Sequence, residues 1–290
     1  MSTTDEGPYR QLLPSNVPTE HTRLDQQTRA ITAIMGNKDF LTDLPSLPSP
    51  TRAIEVGAGT GLRTAVLAHN IPSNEESKIY AVDLSPIPSL HAQPNTIEFV
   101  QGNIFDLAGH DPRFGLGTFD FLTSRMLGAA ITDWKAYIRA GFDLLKSGGR
   151  IELQEACFGW YDGEGNELSK GWRWLQVMRK AGPKIGLDFW GPLTFSGSLQ
   201  EAGFVDVETQ TFKWLISKED EDAIAQYTAH VLNPTFVELV GRVVQKAGLG
   251  EGELEGLGDA EGVKRDYMET VMGAPKGTYC NFWVVRARKP

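Results

Sequence analysis

Four residues at two-residue spacing open the chemistry of this chain. The stretch AIEVGAGTGLRTAVLA (53–68) places Glu55, Gly57, Gly59 and Gly61 between an apolar run and a helix-like run. Glycines in a strand-to-helix turn let a ligand lie against bare main chain. The helix beyond adds N–H donors and the positive end of its dipole. A phosphate-cradling loop reads G-x-x-x-x-G-K-[ST], but Leu62 and Arg63 follow Gly61. A dinucleotide turn reads G-x-G-x-x-G. Here the third glycine comes one place early, and Leu62 holds the sixth position.

The pattern that remains, acidic-x-G-x-G-x-G, suits S-adenosylmethionine (SAM). That ligand carries a carboxylate, an ammonium and a sulfonium, and it has no pyrophosphate for a helix end to hold. Gly57, Ala58, Gly59 and Gly61 would press against its methionyl and ribose parts, and Glu55 would add negative potential beside its positive charge. A second acid is then expected at the end of the next strand to accept from both ribose hydroxyls. Asp83 stands there, with Leu84 next to it. Asn103 and the Ile104 main chain are expected at the adenine, with Asn in a place where many methyltransferases carry Asp. Ser124, Arg125 and Met126 end the fourth strand, beside the reacting sulfur.

Positioning these groups requires alternating strands and helices. RAIEVG (52–57), KIYAVDLS (78–85), TIEFVQGN (96–103), FDFLTSRM (119–126) and RIELQEA (150–156) read as strands. LRTAVLAHN (62–70) and 133–149 read as helices, the second with Gly148-Gly149 as its C-cap signal. Such alternation argues for a parallel sheet covered on both faces. Beyond residue 157 the regularity is expected to fail, and a helix near 195–202, a strand at 204–216, a mostly helical stretch (218–247), a helix near 263–272 and a final strand (279–289) follow. The late pair suggests an antiparallel edge.

Further motifs resemble a known family. EHTRLDQQ (20–27) resembles the E-x-x-R-L-D-x-Q-H signature of LaeA-like methyltransferases of filamentous fungi, and 119–155 resembles their R-x-L, D-W and L-K-P-G-G-x-[IL]-E-x-Q-E pieces. Gln27 replaces the usual His and Ser147 the usual Pro. The resemblance covers residues 20–156 well and the last strand more loosely. It implies a Rossmann-like class I SAM-dependent methyltransferase, with seven mostly parallel strands and an antiparallel last one. It further implies that Arg23 and Tyr9 fold over the cofactor. The expected organisation is an arm and helix (1–50), then a methyltransferase domain (51–290) with helical cap inserts at about 157–195 and 217–275.

The inserts are aromatic, which suggests a flat or apolar small molecule. Trp160, Trp172, Trp190, Tyr227 and Asn233 are the candidate substrate contacts. His230, three residues after Tyr227, is the candidate base, and Glu155, at the end of strand five, a candidate for orienting substrate. Oxygen is the leading acceptor atom, then nitrogen or carbon. A LaeA-like regulator and a cyclase that uses SAM only as a scaffold remain alternatives.

A formal charge of −9 without a basic run disfavours nucleic-acid binding and a polybasic membrane contact. Two cysteines make neither a disulfide framework nor a metal quartet, and no carboxylate spacing suggests a metal. The expectation is a cytoplasmic protein with a small-molecule partner. Its oligomeric state is left open.

Overall fold

The computed structural model describes residues 12, 17–88, 91 and 95–290. Tyr9 lies outside them. One mixed sheet of seven strands organises the chain: β1 (Arg52–Val56), β2 (Lys78–Asp83), β3 (Ile97–Gln101), β4 (Phe119–Arg125), β5 (Leu145–Tyr161), β6 (Val205–Leu215) and β7 (Tyr279–Arg288). Their order is β3-β2-β1-β4-β5-β7-β6. The first five pair in parallel, and β7 runs antiparallel to both β5 and β6. This is the sheet expected of a class I methyltransferase. The order reverses between β1 and β4, so a crevice opens beyond their carboxyl ends, where ligands bind in open α/β sheets.

The central strands are apolar because both of their faces are covered. Ile54, Val56, Val82, Leu122, Ile151 and Leu153 are buried. Covering them are helices including α1 (Pro18–Ile34), α2 (Leu62–Asn70), α3 (Ile104–Leu107), α4 (Trp134–Leu144) and α6 (Phe195–Glu201). Asp133 caps α4 by accepting from the Ala136 N–H, and the amphipathic sequence turns Tyr137, Ile138, Gly141 and Leu144 inward.

Two local expectations are corrected. The helix placed at 133–149 ends at Leu144, and Gly148-Gly149 is not its cap. Leu145 already pairs with Phe119, the Lys146 ammonium binds Asp120 at 2.8 Å, and the Gly148 N–H donates to the Lys289 carbonyl. The glycines instead serve an irregular start to β5, with Gly148 at φ +81°. Nor does order stop at 157: β5 continues to Tyr161 because β7 pairs with it through Cys280 and Tyr279. Tryptophan-rich sequence beyond it forms α5 (Arg173–Lys184), which packs with α8 (Asn233–Ala247) and α9 (Ala260–Met272). Between α7 (Ala223–Tyr227) and α8 lies a π turn, Thr228–Leu232.

Candidate active site

A cavity of about 320 Å³ lies at the switch point, within the size range of small-molecule sites. One wall is polar. It comprises Glu55, Gly57, Ala58 and Gly59 after β1, Asp83 and Leu84 after β2, Arg125 and Met126 at the end of β4, and Arg23 on α1. The other wall is aromatic: Phe158 and Trp160 from β5, Phe189, Trp214 of β6, Phe236 of α8 and Tyr267 of α9.

The glycine loop owes its shape to left-handed backbone. Gly57, Gly59 and Gly61 sit at φ +74°, +57° and +79°, where side-chain-bearing residues are strained. Two of the three also face packed neighbours. A Cβ on Gly57 would stand 2.4 Å from Leu127 Cδ2, and one on Gly61 2.9 Å from Phe99. Only Gly59 faces open space beyond one Leu24 contact at 3.6 Å, and it lines the cavity. Gly57→Ala is therefore expected to destabilise the protein by about 1–3 kcal/mol from backbone strain, with the overlap added. Chemical denaturation measures this, and Leu127→Ala in the same chain should recover part of the loss.

Asp83 ties this loop to the sheet. Its Oδ2 accepts from the Gly59 N–H and its Oδ1 from the Ser85 N–H, both at 2.9 Å. Burial raises its pKa against those hydrogen bonds. The Leu84 N–H also bears on the carboxylate, and its four or so lone-pair sites leave acceptor capacity for a donor in the cavity.

Glu55 does not carry the free negative potential expected of it. Its Oε1 accepts from Arg63 Nη1 at 2.8 Å and its Oε2 from the Thr64 hydroxyl at 2.5 Å. Arg63 donates in turn to Thr123 at 2.8 Å. The charge is thus neutralised inside the protein by a residue eight positions on, and the acid anchors α2 beneath the loop. Arg125 differs. It is buried, and among the described residues its Nη1 has no hydrogen-bond partner; the acid it pairs with is Asp39, at 3.9 Å. Burial and the adjacent Arg63 pull its pKa down to about 9. A buried guanidinium on a cavity wall, with only a distant acid beside it, is a ready partner for a ligand carboxylate.

On α1, Arg23 donates both Nε and Nη2 to the Glu20 carboxylate at 2.7 Å and Nη1 to Gln27 at 3.0 Å. Gln27 thus has a structural task where the resembling family carries His. Asp25, on the same helix, accepts from the Thr60 hydroxyl at 2.5 Å and docks α1 onto the glycine loop. Sequence reading missed Asp25, Thr60 and Arg63. The R-L-D triplet and the arginine inside G-x-G-x-G-L-R are the only signals that could have marked them.

Several candidates stand outside the cavity lining. Asn103 caps α3, its carbonyl oxygen accepting from the Phe105 N–H at 3.0 Å, and Ile104 is buried in the sheet core. Ser124 is buried at the end of β4, and Gly61 faces Phe99. Trp172 packs behind Trp160 at 5.3 Å, and Trp190 carries the Arg179 guanidinium over its ring at 4.1 Å. The Tyr227 hydroxyl donates to the Arg23 carbonyl at 3.4 Å. His230 is exposed: the π turn breaks the helical phase on which its pairing with Tyr227 rested. Asn233 and Trp160 do line the cavity, and Asn233 Oδ1 accepts from the Tyr267 hydroxyl at 2.8 Å.

Glu155 sits where the walls meet. It is 2 % exposed, and it accepts from the Leu127 N–H at 2.5 Å and the Gly128 N–H at 3.2 Å. Those donors belong to the turn after Met126, which holds φ +58°. Burial, opposed only by the Leu127 and Gly128 N–H groups, pushes Glu155 up to about 8. A carboxyl whose folded pKa exceeds its unfolded value of about 4.3 favours the folded state at low pH, and that contribution is lost as pH rises. Melting temperature is therefore expected to fall between about pH 5 and pH 8, and Glu155→Gln should flatten that slope. Equal slopes in the two proteins, followed by scanning calorimetry, would contradict this.

The chain belongs to the methyltransferase domain family, whose profile matches residues 27–209. It is 27% identical over 222 residues to methyltransferase pytC of Aspergillus terreus, a match covering 76% of this chain and 65% of the relative. It is 27% identical over 177 residues to the secondary metabolism regulator laeA of Coprinopsis cinerea, covering 57% of this chain and 37% of that one. The chain thus spans just under two thirds of the length of the pytC relative. Solved structures of similar fold include phosphoethanolamine N-methyltransferase 2 of Haemonchus contortus, at TM-score 0.48 and 16% identity, covering 96% of this chain and 61% of that one. Geranyl diphosphate C-methyltransferase of Streptomyces coelicolor matches at TM-score 0.47 and 12% identity, covering 96% and 85%. Among the described residues, no helix is long and apolar enough to cross a membrane.

Proposed function

We propose that the polar wall binds SAM and that the protein is a SAM-dependent methyltransferase acting on a small molecule of fungal secondary metabolism, with oxygen as the leading acceptor, then nitrogen or carbon. The observation that carries this reading is the convergence, on one cavity, of the Asp83 carboxylate, the left-handed main chain at Gly57 and Gly59, and the Arg125 guanidinium, whose Nη1 has no hydrogen-bond acceptor among the described residues. The relatives named as a methyltransferase and as a regulator of secondary metabolism support the setting.

The donor set fits the cofactor. Asp83 would hold the ribose hydroxyls, Gly59 would let the methionyl part approach the main chain, and Arg125 would receive the carboxylate. When bound, SAM supplies an electrophilic methyl group whose bond to sulfur breaks with the electron pair left on sulfur. The chain's part is to position the acceptor, exclude water and take up a proton. Residues 51–290 would form the catalytic domain, with the segments near 157–195 and 217–275 as its cap and 1–50 as an arm. We place the protein in the cytoplasm.

Incubation with methyl-labelled SAM and extracts of fungal cultures tests the assignment. A labelled small molecule that appears with the native protein and is absent with Asp83→Asn is the expected result. SAM binding without any labelled product would turn the assignment toward the regulatory or cyclase reading.

A further inference from the structure

The aromatic wall has a composition that bears on what it admits. Among the described residues, no Lys, Arg or His after Arg125 lines the cavity. The charged groups on that side are Asp188 and Glu155, both acids. Arg179, whose charge is felt at Cys157, is stacked over Trp190 and does not line the cavity. An anionic acceptor would lose its hydration and meet no cation there.

The rings are also packed against one another. Phe158 and Phe189 stack at 4.5 Å with planes 12° apart, and Phe236 lies against both Phe158 and Tyr267 at 5.3 and 5.6 Å. A cage for an ammonium needs open ring faces around one point. Stacking of Phe158 on Phe189 uses one face of each ring, and the T-shaped Phe158–Phe236 contact turns an edge, so among the described residues the wall offers flat apolar surface and no ring cage around one point. Polar groups on it are largely engaged with each other: Tyr267 with Asn233, and Thr228 with Trp214 at 2.6 Å. Glu155 is the exception. Each of its oxygens accepts one main-chain N–H and retains a lone pair, and among the described residues no cation pairs with it.

Building on the SAM-binding reading, we propose that the aromatic wall takes an uncharged, ring-bearing hydroxyl compound and that Glu155 is the catalytic base that accepts its proton. As the new carbon–oxygen bond forms, the acceptor's O–H bond breaks, its electrons stay on oxygen and its proton moves to a Glu155 oxygen. Glu155 then releases that proton to water. Burial raises the Glu155 pKa to about 8, so its carboxylate form is the base and turnover is expected to rise as pH climbs from about 6 toward 8.

Binding decides this independently of turnover. Calorimetric titrations into protein loaded with S-adenosylhomocysteine would use 2-naphthol, 2-methoxynaphthalene, 2-naphthoate, 2-naphthyl phosphate and 2-naphthylmethylamine. Expected is 2-naphthol tightest, about 100-fold or more over the anions and about 10-fold over the methyl ether, which has no proton to donate. At about pH 8.5, where the carboxylate is the main form of Glu155, Glu155→Gln should shrink the naphthol-to-ether ratio to below about threefold, because an amide is a weaker acceptor than a carboxylate. Phe236→Ala should weaken every ring compound alike. Anions or the amine binding as well as naphthol, or none of the five binding, would overturn the compartment assignment. An ether equal to naphthol in the native protein would overturn the role of Glu155, whether or not the variant folds. Failure of S-adenosylhomocysteine to load at all would count against the cofactor reading instead.

Discussion

Asp83→Asn is expected to weaken SAM binding by at least about 100-fold while leaving the protein folded. The carboxylate already accepts from Gly59 and Ser85, so its shape and position are fixed before any ligand arrives. Two further charge-assisted hydrogen bonds from ribose hydroxyls contribute about 1.5–3 kcal/mol each. Every 1.4 kcal/mol is about tenfold in affinity. Asparagine loses the charge and turns one of the two main-chain contacts into a donor facing a donor, which disturbs the loop as well. Affinity should also decline as pH falls, because burial raises the Asp83 pKa and a bound proton occupies the acceptor. Calorimetric titration reads both effects. Affinity within threefold of the native value would remove Asp83 from the site.

Arg63→Met is expected to be the most destabilising of these substitutions. Arg63 and Glu55 are each about 3 % exposed, and removing the cation leaves a buried carboxylate with only the Thr64 hydroxyl. Breaking a buried pair from one side costs about 3–5 kcal/mol. In a chain of this size that corresponds to a melting temperature lower by on the order of 10 °C. Replacing both partners, Glu55→Gln with Arg63→Met, should recover much of the loss because no charge is then stranded. A single substitution that shifts melting by less than 2 °C would show that water or another cation reaches Glu55.

The sheet was legible in the sequence because its signals are local. Apolar runs such as RAIEVG and KIYAVD, broken by glycine and aspartate turns, set the strands and the switch point. Asp83 and Gly59 were legible for the same reason: both lie at strand ends whose position the pattern defines. What escaped depends on contacts distant in sequence. The neutralising of Glu55 by Arg63 needs α2 folded back on β1, and the extension of β5 through Trp160 needs a partner strand 120 residues later. His230 ranked highest as base because its unperturbed pKa suits proton transfer. A π turn, which no periodicity announces, left it exposed. Glu155 was read only as an orienting group because neither its burial nor its lack of a cation is written in a short motif.

The most direct measurement is calorimetric titration of SAM and S-adenosylhomocysteine into the purified chain and its Arg125→Met variant. One molecule per chain is expected, with a dissociation constant between about 1 and 100 µM, the span over which enzymes commonly hold such ligands. The variant should bind at least about tenfold more weakly, because no guanidinium is left to meet the ligand carboxylate. No heat and no thermal shift at millimolar nucleoside would contradict the assignment of the polar wall, and with it the proposed chemistry.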